Sequence, residues 1–442
     1  MPSRAPGRLS VLIPTYGDAY ALELVLRMLD RQTLAPDRFE VVVVNDGSDP
    51  APYQPLLSAV HPYELRFDTL PAHLGRAAAR NRAVELATGE VVCFLDGDVL
   101  AEPTLLERHL AFHDGRDEPA VLIGKRYEGD WSVLAAAAGG EPVTTALVGD
   151  RHEDFRFRVP GRDERPRDWL TGAPWAFALT NNVSMPRRVV LDVGGFDEAY
   201  GTRWGFEDTD LAYRIHRHLG GDDERFCYDA AAVGFHLPAV RDITNLQEDY
   251  LVNLQLFRDR HRDLAVEVVD LPAPTEVSRK LRYYRRMLAH CAQRRVGWLP
   301  EAWPRVEDLA GRPVLCQAFG TDQVVLGEGS ATLDHGRDVS KTNLHLLGTW
   351  TPFSDDEFDA VVSVDLWRFL EQRELSRFLR QSLRVAREVV LVYTEDAASR
   401  LAEPDLPVLT TPDLFLPMLR RRYPQAVRES DDAGSVLRIP RT

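Results

Sequence analysis

The sequence predicts an α/β protein with a mostly parallel sheet and a second, smaller α/β domain. Short runs rich in β-branched and aromatic residues alternate with helical patterns, which is typical of parallel sheets. The chain has 442 residues, more than one domain of ordinary size holds. The alternation occurs twice, on either side of the Pro-containing junction "DLPAPTEVS". We therefore expect two domains.

Composition excludes several classes of protein. Hydrophobic residues at 44% and charged residues at 27% are typical of soluble globular chains. A net charge of -15 argues against binding of nucleic acid or anionic membrane by the whole surface. No apolar run reaches the roughly 18 residues of a transmembrane helix, and "MPSRAPGR" lacks a signal-peptide core, so we expect a cytoplasmic protein. Few lysines among the basic residues are consistent with a GC-rich bacterial gene.

The four cysteines give no sign of a metal or disulfide framework. They are Cys93, Cys227, Cys291 and Cys316, and they lie far apart without ligand spacing. We expect buried thiols.

Four β-rich runs open the chain. They are "LSVLIPTY", "FEVVVVND", "YELRFDTL" and "EVVCFLDGD". A helical pattern with Leu22, Leu26 and Leu29 on one face follows the first, and the Ala-rich "GRAAARNRAVELATG" precedes the fourth. Ligands of parallel sheets lie outside the carboxyl ends of the strands, where "PTYGD", "NDGSD" and "DGD" fall. We expect these three polar clusters to meet at one rim.

The second half begins with helices. "TNLQEDYLVNLQLFRDRHRD" has a helical pattern, and residues 279–295 hold seven basic residues and no acid. That basic segment could contact an acidic partner, lipid or the other domain. The alternative is that its basic residues form the solvated face of a helix whose opposite face packs through Leu281, Tyr284 and Leu288. The later strands are predicted at "QVVLGEG", "FDAVVSVD", "REVVLVYTE" and "SVLRIP". The predicted domains are 1–245, a helical linker at 246–304, and 305–442.

The "DGD" cluster favours a divalent cation. Asp96 and Asp98 follow an apolar strand, and Gly97 between them allows close approach of a ligand. Oxygen ligands of this kind suit Mg²⁺ or Mn²⁺, which bind through one or two carboxylates plus substrate phosphates. The alternative is an Asp-Gly turn with no ligand.

Two other residues near this rim suit a nucleotide. Asp46 ends a four-valine strand, where its carboxylate can accept from the ring N–H of a base, or close the strand as an Asx turn. Arg80 lies in a helix whose N-terminal end, near Gly75, suits phosphate. The alternative for Arg80 is an exposed surface arginine.

Three acids stand together at the start of a later helix. Glu207, Asp208 and Asp210 follow Trp204 in "RWGFEDTDLAYRI". One carboxylate suffices to cap a helix, so the surplus beside an aromatic wall suggests a working acid or base. Trp204, Trp175 and Trp131 are candidates for stacking on sugar rings, with burial in a core as the alternative.

Five segments in order resemble family 2 glycosyltransferases of the GT-A fold, over roughly residues 9–238. They are "VLIPTYGD", "VVVVNDGS", "HLGRAAARNRAVELATGEVVCFLDGDV", "LTNNVSMPRRVVLDVGGFDEAY" and "RWGFEDTDLAYRIHRHLG". The last two also resemble the shared segment of β-1,4-galactosyltransferase-like and polypeptide N-acetylgalactosaminyltransferase-like enzymes. The resemblance implies a Rossmann-like nucleotide-sugar domain that transfers a sugar, usually from a UDP-sugar, to an acceptor nucleophile.

The resemblance also implies a donor site and a metal site. The donor-binding residues would be Pro14, Thr15, Tyr16, Asp46, Arg80, Asp96, Gly97 and Asp98. Asp98 and His236 would bind Mn²⁺ or Mg²⁺, with Asp96 facing ribose and metal. Neutral imidazole favours Mn²⁺, and the alternative for His236 is a packed core histidine.

Asp208 becomes the candidate general base on this resemblance. It would take the proton of the attacking hydroxyl, with Glu207 and Trp204 binding the acceptor, and direct displacement would invert the anomeric centre. A helix cap is the alternative role for Asp208, and retaining transfer the alternative outcome. The acceptor is open among natural product, glycolipid, polysaccharide and peptide. The polar, Arg-rich residues 150–172 are predicted to be an acceptor-side loop.

The C-terminal region partly resembles class I S-adenosylmethionine-dependent methyltransferases. "LLGTWTPFSDDEFDAVVSVDLWRFL" and "REVVLVYTE" carry the resemblance, whereas "VVLGEGSATLDHGRDVS" leaves little room for the usual crossover helix. Asp338 is the candidate for the ribose-binding acid. We expect a non-catalytic domain that packs, forms a homodimer or presents acceptor, with a bifunctional glycosyltransferase and methyltransferase as the alternative.

Overall fold

The structure is a computed structural model that describes residues 7–147, 154–157, 166–238, 245–270, 273–395, 397–400, 411–431 and 434–441. Its contacts divide the chain into two compact units. The first holds Met1–Phe257 and Leu271–Arg279, and the second holds Arg258–Asp270 and Lys280–Thr442. Residues 246–304, predicted as a separate linker, are therefore shared between the units.

The first unit is built on an eight-stranded sheet in the order β3-β2-β1-β4-β7-β6-β8-β5. Its strands are β1 (Leu9–Thr15), β2 (Phe39–Asn45), β3 (Glu64–Thr69), β4 (Val91–Leu95), β5 (Val99–Ala101), β6 (Val121–Glu128), β7 (Asn182–Pro186) and β8 (Phe226–His236). β3, β2, β1 and β4 pair in parallel, whereas β7 runs antiparallel to β4 and β6. All four predicted N-terminal strands are present, and the predicted mostly parallel α/β fold is confirmed.

Helices cover the sheet of the first unit. They are α1 (Ala19–Leu29), α2 (Gln54–Leu57), α3 (Arg76–Leu86), α4 (Leu105–His113), α5 (Trp131–Ala138), α6 (Pro166–Leu170), α7 (Arg187–Asp192), α8 (Glu207–His218) and α9 (Leu246–His261). Leu22, Leu26 and Leu29 of α1 are buried in a hydrophobic core that also contains residues of β1 and β2, as their spacing predicts. Burial of this apolar face stabilises the helix more than its intrinsic propensity does.

The second unit has a six-stranded sheet in the order β10-β9-β11-β12-β14-β13. Its strands are β9 (Val314–Gln317), β10 (Ala331–Thr332), β11 (Phe358–Val364), β12 (Ala386–Thr394), β13 (Val427–Asp431) and β14 (Gly434–Pro440). Its helices are α10 (Leu264–Glu267), α11 (Pro274–Gln293, whose first turns lie in the first unit), α12 (Leu299–Ala302), α13 (Gln372–Val385), α14 (Ala397–Arg400) and α15 (Pro412–Arg422). β9 to β12 are parallel, and β13 and β14 form an antiparallel edge.

One predicted strand of the second unit is wrong. "QVVLGEG", residues 323–329, is not a strand; Val325 is 90% exposed there. The strand lies earlier, at β9, because β9 has a partner on each side in the sheet. Between β9 and β10 the only helical turn is the short 3-10 helix Thr321–Gln323, so the predicted lack of room for a crossover helix is confirmed.

Burial settles two smaller predictions. Cys93, Cys291 and Cys316 are buried as expected, whereas Cys227 is partly exposed. In the basic segment, Leu281 and Tyr284 are fully buried, as expected for the underside of a helix. Lys280 is also buried and ion-paired with Asp270 and Glu374, at 3.1 and 2.6 Å. This lysine therefore belongs to the interior of the second unit. None of the described helices is long and apolar enough to cross a membrane.

Candidate functional site

The polar clusters predicted to share a rim do so. The parallel register pairs Thr15 with Asn45 and Leu12 with Phe94, so β1, β2 and β4 end at the same edge of the sheet. Asp46 and Asp96 follow the last residues of their strands there. The rim is the edge at which open parallel sheets bind ligands.

Arg80 is buried at this rim and joins two of the predicted acids. Its guanidinium donates to Asp96 and to Glu207, both at 2.9 Å. Burial opposes its charge, but the carboxylates of Asp96, Glu207 and Asp208 outweigh that cost and raise the pKa of Arg80. The exposed-arginine alternative is wrong, because Arg80 is only 2% exposed. Arg80 thus ties the end of β4 to the start of α8.

Asp208 lies beside this ion pair with a perturbed pKa. Burial, and then the adjacent Glu207 carboxylate, raise the pKa of Asp208 to about 6, although the charge of Arg80 opposes the shift. Residue 208 as a whole is half-buried. A carboxyl group at a ligand-binding edge with a pKa near neutrality has the properties of a general base.

Helix α8 begins without a side-chain cap. Its N-cap is Phe206, which has the left-handed φ of 75°, and Asp208 lies one residue inside the helix. The Asp208 carboxylate accepts from the N–H of Thr209 at 2.7 Å, so it satisfies one first-turn donor without being the N-cap. Asp210 is buried and paired with Arg214 at 2.7 Å. Of the three acids, Asp210 therefore has the structural role.

Two of the three predicted metal-site residues, Asp98 and His236, are brought together by strand pairing. β5 runs antiparallel to β8 with Val99 opposite His236, which places Asp98 beside the imidazole. The Nε2 of His236 lies 3.3 Å from Asp98 Oδ2, and its Nδ1 lies 3.4 Å from Glu128 Oε2. A carboxylate on the far nitrogen is the usual means of orienting a metal-binding histidine.

These residues fit a divalent cation as a partial ligand set. Among the described ranges, no group of three or more His, Cys, Asp and Glu side chains is arranged to hold a metal ion. Asp98 and His236 alone supply one oxygen and one nitrogen donor. Mg²⁺ and Mn²⁺ sites of nucleotide enzymes commonly take their remaining ligands from water and substrate phosphates, so two protein donors suffice.

Asp46 has a structural role that its sequence position did not reveal. Its carboxylate accepts from the N–H groups of Leu74 and Gly75, at 2.8 and 2.9 Å, and contacts Nδ1 of His73 at 2.8 Å. A Cβ on Gly75 would lie 1.9 Å from the carbonyl oxygen of Gly201, so only glycine fits there. Asp46 therefore holds the loop that leads into α3, and its predicted contact with a base stays a prediction.

His73 is a candidate that sequence reasoning missed. Its ring stacks on Tyr16 with the centroids 4.0 Å apart, beside Asp46. Tyr16 is 55% exposed, so an aromatic face is available at the rim. Thr15 is buried and its hydroxyl lies 3.1 Å from that of Tyr53. The sequence feature that could have revealed His73 is the position of "HLG" just before α3, the helix that carries Arg80.

Gly97 has a packing role within the protein in addition to its predicted role. A Cβ there would lie 3.0 Å from the carbonyl oxygen of Pro14, so the missing side chain lets the "DGD" turn close against the end of β1. The glycine is needed for packing of the protein on itself. Close approach of a ligand at this position stays a prediction.

The rim also holds buried polar atoms that have no hydrogen-bond partner within the described part of the chain. They are Glu207 Oε2, Arg80 Nε, Thr180 Oγ1 and Asn181 Oδ1. Thr180 and Asn181 precede β7, whose Asn182 lies opposite Leu95 at the end of β4. Sequence reasoning missed these two residues. Unsatisfied buried polar groups cost stability, and a ligand that supplies their partners explains their presence at a site.

The three tryptophans differ in environment. Trp204 is half-buried beside the acids and lies 6.3 Å from Tyr250 between ring centroids, whereas Trp175 is buried in the core and Trp131 is 67% exposed. Most of the predicted acceptor loop, residues 150–172, lies outside the described residues. Within it, Asp154 and Arg156 form a buried ion pair that anchors residues 154–157 to the sheet.

The corresponding edge of the second unit is filled by the protein itself. Asp334 is buried after β10, and its carboxylate accepts from the N–H groups of Thr321 and Gly336, at 3.0 and 2.8 Å. The indole of Trp298 lies against Gly320, where an added Cβ would be 2.8 Å from the ring. Asp338, the predicted ribose-binding acid, is exposed, and Asp334 is the acid that follows the strand.

Comparison with known proteins supports the resemblance for the first unit. Residues 10–158 match the family model of glycosyl transferase family 2. The chain is 36% identical to validoxylamine A glucosyltransferase of Streptomyces hygroscopicus subsp. limoneus over 219 residues, which cover 48% of each protein. It is 28% identical to the uncharacterized glycosyltransferase YfnE of Bacillus subtilis over 286 residues, covering 58% of this chain and 68% of YfnE.

The extent of these matches limits what they establish. The chain spans about half the length of the validoxylamine A glucosyltransferase it matches. Among solved structures, S. aureus TarS aligns at a TM-score of 0.41 with 19% identity, covering 64% of this chain and 44% of TarS. Residues 10–158 thus carry a glycosyl transferase family 2 domain.

Proposed function

We propose that the chain is a metal-dependent, inverting glycosyltransferase that moves a sugar from a UDP-sugar to a hydroxyl group of an acceptor. The observation that carries this proposal is Asp208, a half-buried residue with a raised carboxyl pKa, beside the Arg80 ion pairs at the rim of the sheet. The family 2 domain over residues 10–158 supports a nucleotide-sugar donor.

In this proposal the donor binds along the ends of β1, β2 and β4. Thr15, Tyr16 and Asp46 hold the base, with the exposed face of Tyr16 available for stacking. Asp96 faces the ribose, and Arg80, held between Asp96 and Glu207, supplies the buried positive charge nearest the diphosphate. In a chain of net charge -15, such local charge or a cation is needed to bind phosphate.

Asp98 and His236 would hold the divalent cation, with Glu128 orienting the imidazole. When bound, the cation offsets the charge that develops on the departing diphosphate. Mn²⁺ suits a set that includes imidazole better than Mg²⁺ does.

Asp208 acts as the base in the proposed transfer. As the acceptor oxygen forms its bond to the anomeric carbon, its proton passes to the Asp208 carboxylate. The bond from the anomeric carbon to the diphosphate oxygen breaks, and UDP leaves with the electron pair. A single displacement inverts the anomeric centre, and Glu207 and Trp204 orient the acceptor next to the base.

The second unit has no catalytic role in this proposal. Trp298 covers Gly320, the carboxylate of Asp334 is satisfied internally, and no α-helix follows β9 among residues 318–330. S-Adenosylmethionine needs uncovered backbone at that loop. The four parallel strands with an antiparallel edge support common ancestry with class I methyltransferases without a retained cofactor site. Packing, dimerisation or presentation of acceptor are the roles left to it.

Replacing Asp208 tests the proposal. UDP-glucose and validoxylamine A are the first substrates to try, because a 36% identical relative is named validoxylamine A glucosyltransferase. Asp208→Asn should lower transfer by about 10² to 10⁴ while leaving UDP affinity nearly unchanged, because only the proton acceptor is lost. Release of UDP and calorimetry measure the two quantities.

The matched control is Glu224→Gln, which neutralises an exposed acid of the same unit. It should retain wild-type transfer. A normal turnover per folded molecule in Asp208→Asn, with only the stability changed, would contradict the general-base role.

A further inference from the structure

Helix α9 contacts the turn that delivers Glu207 and Asp208. The side-chain amide of Asn253 donates to the carbonyl oxygens of Gly205 and Trp204, at 2.8 and 3.4 Å. The carboxylate of Asp249, one helical turn earlier, accepts from the N–H of Trp204 at 3.2 Å. Three hydrogen bonds from one helix therefore hold the backbone of two consecutive residues.

The same turn has a backbone conformation that needs outside support. Gly205 and Phe206 both have left-handed φ angles, 93° and 75°. A left-handed conformation is strained for a residue with a side chain, and such strain persists only where the surroundings impose it. No side chain caps α8, so the helix itself does not supply that support.

Packing from α9 fixes Phe206 as well. The phenyl ring is 5% exposed and lies 4.9 Å from Tyr250 and 5.4 Å from Phe257, between ring centroids. The carbonyl oxygen of Phe206 accepts the first hydrogen bond of α8, from Asp210 at 2.8 Å. The conformation of Phe206 therefore determines where α8 begins and the direction in which the side chains of Glu207 and Asp208 project from its first turn.

We propose that Asn253, assisted by Asp249, is a positioning residue for Asp208, and that it acts through the left-handed turn at Gly205 and Phe206. This inference rests on the proposed function, since it assumes that Asp208 is the base. Asn253 is fully buried, yet its Oδ1 has no hydrogen-bond partner among the residues that the structure describes. An apolar residue would avoid that unsatisfied acceptor, so the donor side of the amide is the reason for asparagine here.

Asn253→Ala should lower kcat by about 10²-fold, the scale expected when a reacting group moves by about 1 Å. The KM and Kd for UDP-glucose should stay near wild type, because the donor residues lie on other elements. The acid limb of the pH–kcat profile should move to lower pH, since Asp208 becomes more solvated once the turn relaxes. Hydrogen exchange of the first-turn amides of α8 should become faster.

Asp249 supplies a second, conservative test that does not disturb a fully buried site. Asp249→Ala removes the acceptor for Trp204 N–H and should lower kcat, whereas Asp249→Asn keeps an oxygen there and should recover most of the loss. Gln247→Ala, on the exposed side of α9, is the control and should match wild type.

The outcomes separate this inference from the proposed function. If Asp208→Asn abolishes transfer but Asn253→Ala and Asp249→Ala keep the wild-type kcat and pH profile, α9 is merely structural and this inference fails alone. If Asp208→Asn retains transfer, the proposed function fails first. Loss of thermal stability with normal kcat per folded molecule would also overturn the positioning role.

Discussion

The two units use acids differently at the carboxyl ends of their parallel strands. In the second unit, the Asp334 carboxylate accepts from Thr321 and Gly336, and Asp365 accepts from Thr394 and Arg368. In the first unit, the Asp46 carboxylate likewise accepts from Leu74 and Gly75, but Glu207, at the start of α8, keeps one buried oxygen that has no partner among the described residues. A buried acid near this edge of a sheet is therefore a stronger candidate for a site when part of its hydrogen-bonding capacity is unused.

The two units also differ in the charged groups that lie near this edge of the sheet. Asp96, Glu207 and Asp208 surround one buried guanidinium, Arg80, so this part of the first unit has a surplus of negative charge. At the corresponding edge of the second unit, the Arg368 guanidinium lies 2.9 Å from the Asp365 carboxylate. Surplus charge costs stability in the absence of a cation or proton, and that cost is expected where a group must react.

Removing Arg80 tests the balance of the first unit and should have the largest effect. Arg80→Ala leaves Glu207 buried without its cation, and the loss of one partner of a buried pair costs about 3–5 kcal/mol. Chemical denaturation measures this free energy of unfolding. Arg82→Ala, on the exposed face of the same helix, is the control and should cost little. Equal losses for the two variants would mean that Arg80 does not balance the acids.

The second largest effect is expected at Asp98. Asp98→Asn weakens the pair with His236, so UDP binding in the presence of Mn²⁺ should weaken by about tenfold or more, which is 1.4 kcal/mol per factor of ten. Isothermal calorimetry measures this affinity, and a chelator added to the wild-type protein should reproduce the loss. Binding of UDP that ignores both the chelator and the substitution would show that the metal assignment is wrong.

Asp334→Ala tests whether the hydrogen bonds that the Asp334 carboxylate accepts within the second unit serve stability alone. It strands the buried N–H of Thr321 and should destabilise the protein by about 1–3 kcal/mol, with transfer per folded molecule unchanged. Titration of S-adenosylmethionine into the full chain should give no heat of binding. Micromolar binding that Asp334→Ala abolishes would instead support the bifunctional enzyme.

Much of the fold was readable from local pattern. β1, β2 and β4 are runs rich in β-branched residues that parallel pairing buries on both faces, and their alternation with helices predicted a mostly parallel sheet. "QVVLGEG" has the same composition but no partner strand, since β9 already pairs on both sides with β10 and β11. Composition alone cannot distinguish these cases, because strand stability depends on neighbours.

Less of the candidate site could be predicted from the sequence, because its geometry also depends on neighbouring elements. The acids at 96, 98, 207 and 208 were singled out by their clustering, and the family resemblance suggested their roles. The pairing of Asp98 with His236 could not be predicted, because it depends on the register of β5 against β8. The left-handed Phe206 and the contacts of Asn253 have no local signal, because a neighbouring helix imposes them. His73 lies beside Asp46 only after a loop returns to β2.

The smallest expected effect, and the most specific to the first unit, is the pH dependence set by Asp208. Burial and Glu207 raise its pKa to about 6, with Arg80 opposing and Asp96 adding to the shift. The base is the ionised form, so kcat/KM should level off about one pH unit above that pKa and fall by about tenfold per unit well below it. A pH profile of kcat/KM, measured at low donor and acceptor concentrations, reports this limb for the substrate-free enzyme.

The same shift predicts the opposite trend for stability. Because the folded state holds the proton of Asp208 more tightly than the unfolded chain, whose pKa is about 3.9, stability should fall as pH rises from about 4 to 6. Asp208→Asn removes the charge that is buried above that window, so the variant should melt at a higher temperature than wild type at pH 8 and lose this advantage at pH 4. An advantage that persists unchanged at pH 4 would show that the gain comes from packing, and that the carboxylate of Asp208 titrates as it does in water.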